Sequence, residues 1–217
     1  MFLEVSDEQP IPTILTVGHS THPIDVFIDL LFRHRVNAIS DVRSTPFSRV
    51  NPQFNRDNLQ ASLQDRGIAY VFLGRELGAR SQDPACYVSG RVQYDLLAQT
   101  DLFRAGLQRV HEGMKTYRIA LMCAERDPLQ CHRGILIARQ LEASGVRVQH
   151  ITDDGTLESH TDALRRLLRQ LRLSEHDLFR SAEELINDAY RIQAERIAYT
   201  TPTTATDDWK PLEGPSR

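Results

Sequence analysis

Short apolar runs along the chain alternate with longer stretches in which apolar residues recur every three or four positions. "TILTVG" (13–18), "NAISDVR" (37–43), "IAYVFLG" (68–74), "YRIALMC" (117–123) and "VRVQHI" (146–151) read as five buried strands. Between them, "PIDVFIDLLFRHR" (23–35) has helical spacing with a proline suited to the first turn. "NRDNLQASLQDRG" (55–67) reads as a helix ended by Gly67, and 94–114 as one helix, or two broken near Thr100. "CHRGILIARQLEASG" (131–145) reads as a helix with Gly145 at its C-terminal cap. Residues 79–93 form an irregular excursion with no clear period.

Strands alternating with helices predict an α/β fold: a three-layer arrangement with a mainly parallel sheet of about five strands flanked by helices. Right-handed crossovers bring the loops that follow the strands to one edge of the sheet, where ligands of open α/β sheets bind. The pattern changes after residue 152. A helical, arginine-rich stretch starts at Ser159, and a capping box, Ser181 with Glu184, opens the stretch 181–199. The expected organisation is an N-terminal arm (1–12), an α/β domain (13–152), a C-terminal helical extension (153–200) and a flexible polar tail (201–217). The stripe Leu164, Leu167, Leu168 and Leu171 must pack on the domain or on a partner, which raises a homodimer through the C-terminal helices.

Composition adds little to this. The 217 residues carry a formal charge of −3, which gives no overall push toward nucleic acid or a membrane, so any anion site must be local. No apolar run nears the roughly 20 residues that span a bilayer. The start of the chain, with Glu4, Asp7 and Glu8, does not read as a secretory signal. Three cysteines, an odd number, fit free thiols in a reducing cytosol better than a disulfide framework, so a cytoplasmic protein is expected.

The chemistry gathers at the strand ends. Strand one ends in Gly18, His19, Ser20 and Thr21: the glycine would let a ligand approach the backbone, and Ser20 or Thr21 could cap the next helix. Strand two ends in "SDVRSTPFSR". An acid in an apolar run is costly unless paired or functional, so Asp41 is either an ion-pair partner of Arg43 or a general base. Ser48 follows, and Arg49 and Arg56 interleave with Phe47 and Phe54, a pattern that suits nucleotide contact as well as loop packing.

The densest stretch is "CAERDPLQCHRG" (123–134). Cys123 closes strand four and reads as an inert core thiol, whereas Cys131, at a helix start beside His132 and Arg133, is a candidate reactive thiol. Glu125 is a candidate acid or base, and Arg133 a candidate anion holder. A phosphatase or rhodanese loop would need an arginine six residues after Cys123, where Leu129 stands. C-x-x-C is absent, and zinc would have to gather Cys123, Cys131, His132 and His19 by folding alone, so no metal ligand is assigned and no cofactor is identified.

The strings "TVGHST", "DVRSTPFSR", "FLGRELGAR" and "LMCAERDPLQCHRGILIARQL", in this order, resemble the DUF488 family of uncharacterised bacterial and archaeal proteins. The matching positions are Thr16, Gly18, His19 and Ser20; Asp41, Arg43, Pro46 and Ser48; and Cys123, Glu125, Cys131, His132 and Arg133. The resemblance spans about 13–152 and departs at Leu73-Gly74-Arg75, where "LGG" is often met. It implies a compact α/β domain with one edge site and supplies no reaction.

Three functions are therefore open. One is a hydrolase or group transferase for a small anionic, phosphorylated or nucleotide-like ligand. Gly18, Ser20, Arg43, Ser48 and Arg133 would bind it, and Asp41, Glu125, Cys131, His132 and His19 would act on it. A second is a non-catalytic nucleic-acid-binding or repair-associated module, using the Arg/Phe loop and the arginines of 165–172. A third is a thiol redox sensor in which Cys131 pairs with Cys123 or Cys86.

Overall fold

A computed structural model of the chain describes residues 11–174 and 179–201. The arm and tail expected at 1–12 and 201–217 lie outside the described residues, apart from Ile11, Pro12 and Thr201.

All five expected strands are present: β1 (Thr13–Gly18), β2 (Ala38–Asp41), β3 (Ala69–Phe72), β6 (Ile119–Cys123) and β7 (Arg147–Ile151). The excursion supplies a two-stranded hairpin, β4 (Tyr87–Val88) and β5 (Arg91–Val92), that stands apart from the main sheet. A sixth strand of the main sheet, β8 (Leu157–Ser159), pairs antiparallel with β7. The order is β3-β2-β6-β1-β7-β8, parallel except at β8.

Period-two alternation divides the core. Leu15 and Val17 of β1, Ile39 of β2, and Ala120 and Met122 of β6 face helices α1 (Ile24–Arg33) and α2 (Arg56–Gln64). Ile14, Leu121, Cys123 and Val148 face the opposite layer. That layer holds α3 (Gly74–Leu77), α4 (Tyr94–Ala98), α5 (Asp101–Met114) and α6 (Arg139–Ala143), with α7 (His160–Leu171) and α8 (Ala182–Ile197). The break near Thr100 is real: its side chain accepts from the Phe103 amide and starts α5.

This layering explains where a site can form. β6 lies between β1 and β2, yet the helix that follows it leaves on the opposite face from α1 and α2. The loops after β1 and β2 therefore fold one way and the loop after β6 folds the other, which opens a crevice at the carboxyl edge. The helix after β6 begins as a π-helical turn, Arg133–Ala138, buried throughout, before it becomes α6.

The C-terminal helices complete the domain. Leu167 and Leu168 are buried in its core, with Leu164 and Leu171 packed against it. Of the two places open to the leucine stripe, the domain or a partner, it packs on the domain. The arginines of α7 are likewise engaged: Arg165 pairs with Asp162, and Arg166 bridges Asp127 and Glu158. The capping box at Ser181 and Glu184 is formed. No helix among the described residues is long and apolar enough to cross a membrane.

A buried polar chain ties these helices to the sheet. Thr16 Oγ1 bonds His150 Nδ1 at 2.8 Å, His150 Nε2 bonds His160 Nδ1 at 3.0 Å, and His160 Nε2 bonds the Tyr190 hydroxyl at 2.6 Å. Each imidazole donates through one nitrogen and accepts through the other, which requires both rings to be neutral. Burial holds His160 at a pKa of about 4, and burial together with His160 holds His150 well below its ordinary value. Between about 4 and the ordinary 6.5, His160 binds its proton only in the unfolded chain. The stability it contributes is complete above 6.5 and is lost as the pH falls toward 4. We predict a thermal midpoint that drops across this interval. Tyr190→Phe leaves the imidazole without its partner and costs about 1–3 kcal/mol at neutral pH, measured by chemical denaturation.

Candidate functional site

The site is built on backbone contacts between loops. The ladder between β1 and β6 continues past both strand ends: the His19 and Ser20 amides donate to the Cys123 and Ala124 carbonyls at 2.9 and 3.0 Å. The fourth loop then turns back over β1. A Cβ on Gly18 would lie 2.0 Å from the Glu125 carbonyl oxygen, so the close approach that this glycine permits is to the chain itself. Arg133 fixes that carbonyl. Its fully buried guanidinium donates to the oxygens of Glu125 and Arg126, at 2.5 and 2.9 Å. The expected anion holder is thus committed to holding the loop. Gly134 follows the same logic: a Cβ there would lie 2.2 Å from the Pro128 carbonyl oxygen.

The second loop supplies a buried ion pair. Arg43 donates through Nε and Nη2 to the two oxygens of Asp41, at 2.9 and 2.6 Å, and the Tyr70 hydroxyl adds a bond of 2.8 Å. With the Arg43 amide also donating to it, Asp41 is saturated, which suits a positioning group rather than a free base. Arg43 Nη1 reaches His19 Nε2 at 3.2 Å, while His19 Nδ1 donates to the Ser20 carbonyl at 2.9 Å. The His19 ring stacks on Phe54, with centroids 4.2 Å apart. Burial, then the charge of Arg43, lowers the His19 pKa to about 4, so the ring is a neutral acceptor at pH 7.

These groups border an open cleft of about 390 Å³, lined by His19, Ser20, Arg43, Thr45, Phe47 and Ser48. Ser20 adopts a left-handed backbone, φ 48°, and Pro23 is the N-cap of α1, with no side-chain cap, so neither Ser20 nor Thr21 caps it. The Ser48 hydroxyl accepts from the Asn51 amide.

On the other side of β6 lies a thiol cluster. Cys123 Sγ and Cys131 Sγ approach Glu125 Oε2 at 2.9 and 3.0 Å, and His132 Nδ1 at 3.8 and 3.7 Å. Cys123 therefore does not sit as an isolated core thiol. His132 Nε2 donates to the Val42 carbonyl at 3.0 Å, which turns Nδ1 toward the sulfurs. A hydrogen bond with Cys131, followed by burial, raises the Cys123 thiol well above its ordinary value. Burial opposes the Cys131 thiolate, but the bond to Cys123 and the charges of Arg133 and His132 outweigh it, and this thiol is shifted well down. Cys86 is buried near the hairpin and is not part of the cluster.

Sequence reading missed two supports of the fourth loop. Arg166 of α7 holds Asp127 through both carboxylate oxygens, and Gln193 of α8 donates to the Leu129 carbonyl at 2.8 Å. Nothing local in the sequence ties residues so distant to the loop.

The ion pair predicts two measurable effects. Arg43→Ala strands the buried Asp41 carboxylate and costs about 3–5 kcal/mol in a denaturation experiment. In Arg43→Lys, which keeps a cation beside Asp41, the His19 imidazole stays neutral to well below its ordinary 6.5, since burial is the larger cause. Histidine-resolved NMR titration checks this.

The family model described as a domain of unknown function, DUF488, matches residues 23–140. The match takes in the Asp41–Arg43 loop and the whole of the 123–134 stretch, and begins just after Gly18–Ser20. No match was found among curated proteins or among solved structures. The chain belongs to the DUF488 family.

Proposed function

We propose that the chain is an enzyme, a hydrolase or group transferase, that takes a phosphorylated or nucleotide-like substrate at the carboxyl edge of its sheet. The observation that carries this reading is a guanidinium held rigidly at the border of an oxygen-rich cleft. Arg43 spends three of its five N–H groups on Asp41 and His19. The remaining two form a preset donor pair for a phosphoryl oxygen, with the Ser20, Thr45 and Ser48 hydroxyls as neighbours. Phe47, 62% exposed, is a platform on which a base can stack.

Asp41 and His19 act as positioning residues in this reading: one aims the fork, and the other accepts from it without competing as a cation. The fourth loop reaches the cleft at Ala124, while Glu125, Cys131 and His132 lie on the other side of β6, outside its lining. Arg133 contributes by keeping that loop closed.

Thermal shift tests the reading. A nucleotide or sugar phosphate at about 100 times its Kd should stabilise the chain by about 2.7 kcal/mol, hence a midpoint rise of roughly 5–10 °C. Arg43→Lys, which loses the fork, should abolish the rise. Phe47→Ala should weaken nucleotides and leave sugar phosphates unaffected. A rise that survives in Arg43→Lys would sink the cleft assignment. So would oligonucleotide binding that falls steeply with salt and ignores both substitutions.

A further inference from the structure

We propose that Cys123, Cys131 and His132 form a binding site for a thiophilic divalent cation, zinc(II) in its chemistry, with the fourth position left to water. This goes beyond the substrate reading above and does not depend on it. Sγ of Cys123, Sγ of Cys131 and a ring nitrogen of His132 all lie within 4.8 Å of one another, and all three residues are buried. With Zn–S near 2.3 Å and Zn–N near 2.0–2.1 Å, a tetrahedral centre places sulfur and nitrogen about 3.6 Å apart. The two observed separations are 3.8 and 3.7 Å. Two sides of the ligand triangle therefore already have the length of a sulfur–nitrogen edge of a zinc tetrahedron, and the sulfur–sulfur side is within 4.8 Å.

The surroundings match a metal site in three further ways. His132 Nε2–H donates a hydrogen bond to the Val42 carbonyl, the outer bond by which a ligating imidazole is aimed. The Arg133 amide donates to Cys131 Sγ at 3.4 Å, a contact suited to a thiolate. Glu125 Oε2 stands 2.9 and 3.0 Å from the two sulfurs. Its oxygen lies outside the set of atoms that are mutually within 4.8 Å, so it stands beside the three ligands as an acceptor for the thiol protons.

Charge supports the same occupant. Two thiolates balance the charge of a divalent cation, and Cys123 and Cys131 are both buried, where such a neutral centre is favoured. On binding, the two S–H bonds break, the protons pass to solvent and two thiolate–metal bonds form, with no change of oxidation state. Two sulfurs and one imidazole select zinc over calcium or magnesium, which prefer oxygen.

The test uses the full chain, reduced and stripped by chelator, titrated with cobalt(II) and then zinc(II). We expect one equivalent of cobalt, with a thiolate-to-cobalt charge-transfer band and the intense visible bands of a tetrahedral centre, both erased by zinc. Losing an outer-shell partner weakens a metal site by about 10–100-fold, so Cys131→Ser and His132→Gln should weaken binding by at least about 100-fold. Cys86→Ala should bind as the unaltered chain does. If a variant fails to fold by circular dichroism, thiol alkylation of the unaltered protein decides: zinc should shield Cys123 and Cys131 and leave Cys86 unchanged. A cobalt complex without the thiolate band overturns the site. So does binding that persists in both ligand variants, or reduced protein that takes up no stoichiometric metal and instead closes a Cys123–Cys131 disulfide on oxidation. Because no substrate enters these measurements, failure of the metal site leaves the cleft reading standing, and the reverse also holds.

Discussion

The carboxyl edge depends on one buried guanidinium. Arg133 lies wholly inside the protein and gives its terminal nitrogens to the carbonyls of Glu125 and Arg126. A buried arginine is tolerable only when such acceptors meet it, and two backbone carbonyls left unpaired would be costly as well. The contact gives both carbonyls a donor and both terminal nitrogens an acceptor, leaves the buried Nε without one, and folds the loop after β6 back on β1. Gly18 is its counterpart, since any side chain there would collide with the Glu125 carbonyl that Arg133 holds. Two residues 115 positions apart serve a single close approach.

Once that loop is closed, the remaining parts fall into place on either side of β6. Toward α1 and α2, the Asp41–Arg43–His19 chain borders the cleft, and the stack on Phe54 fixes its last member. Toward α6, the same loop carries Glu125 between two sulfurs and delivers His132 beside them. Helices α7 and α8 brace it from outside through Arg166 and Gln193. The helical extension is thus part of the scaffold of the edge, and its leucine stripe packs on the domain.

Much of this was legible in the sequence. Each strand of the parallel sheet is an apolar run with its own flanking turn, and the polar strings at the strand ends converge because parallel crossovers place them on one edge. β8 was not legible, because three residues, Leu157–Ser159, are too few to show a period. The expected ligand contacts of Gly18 and Arg133 could not be told from internal ones, since a glycine and an arginine serve a phosphate and a carbonyl equally well. The meeting of Cys123 with Cys131 has no spacing rule behind it: seven intervening residues form a three-residue helical turn, Pro128–Gln130, whose geometry is set by Asp127 and Arg166. The His150–His160–Tyr190 chain was missed for the same reason, because only the docking of α7 and α8 assembles it.

The most direct measurement is native-state hydrogen exchange on the unaltered chain and on Arg133→Lys. Lysine keeps the charge but brings a single ammonium centre where a rigid fork now spans two carbonyls. We predict that the amides of His19 and Ser20, which donate to Cys123 and Ala124, lose protection, while those of Leu15 and Leu121 in the sheet keep it. Protection of His19 and Ser20 that is unchanged in Arg133→Lys would contradict the claim that this guanidinium closes the carboxyl edge.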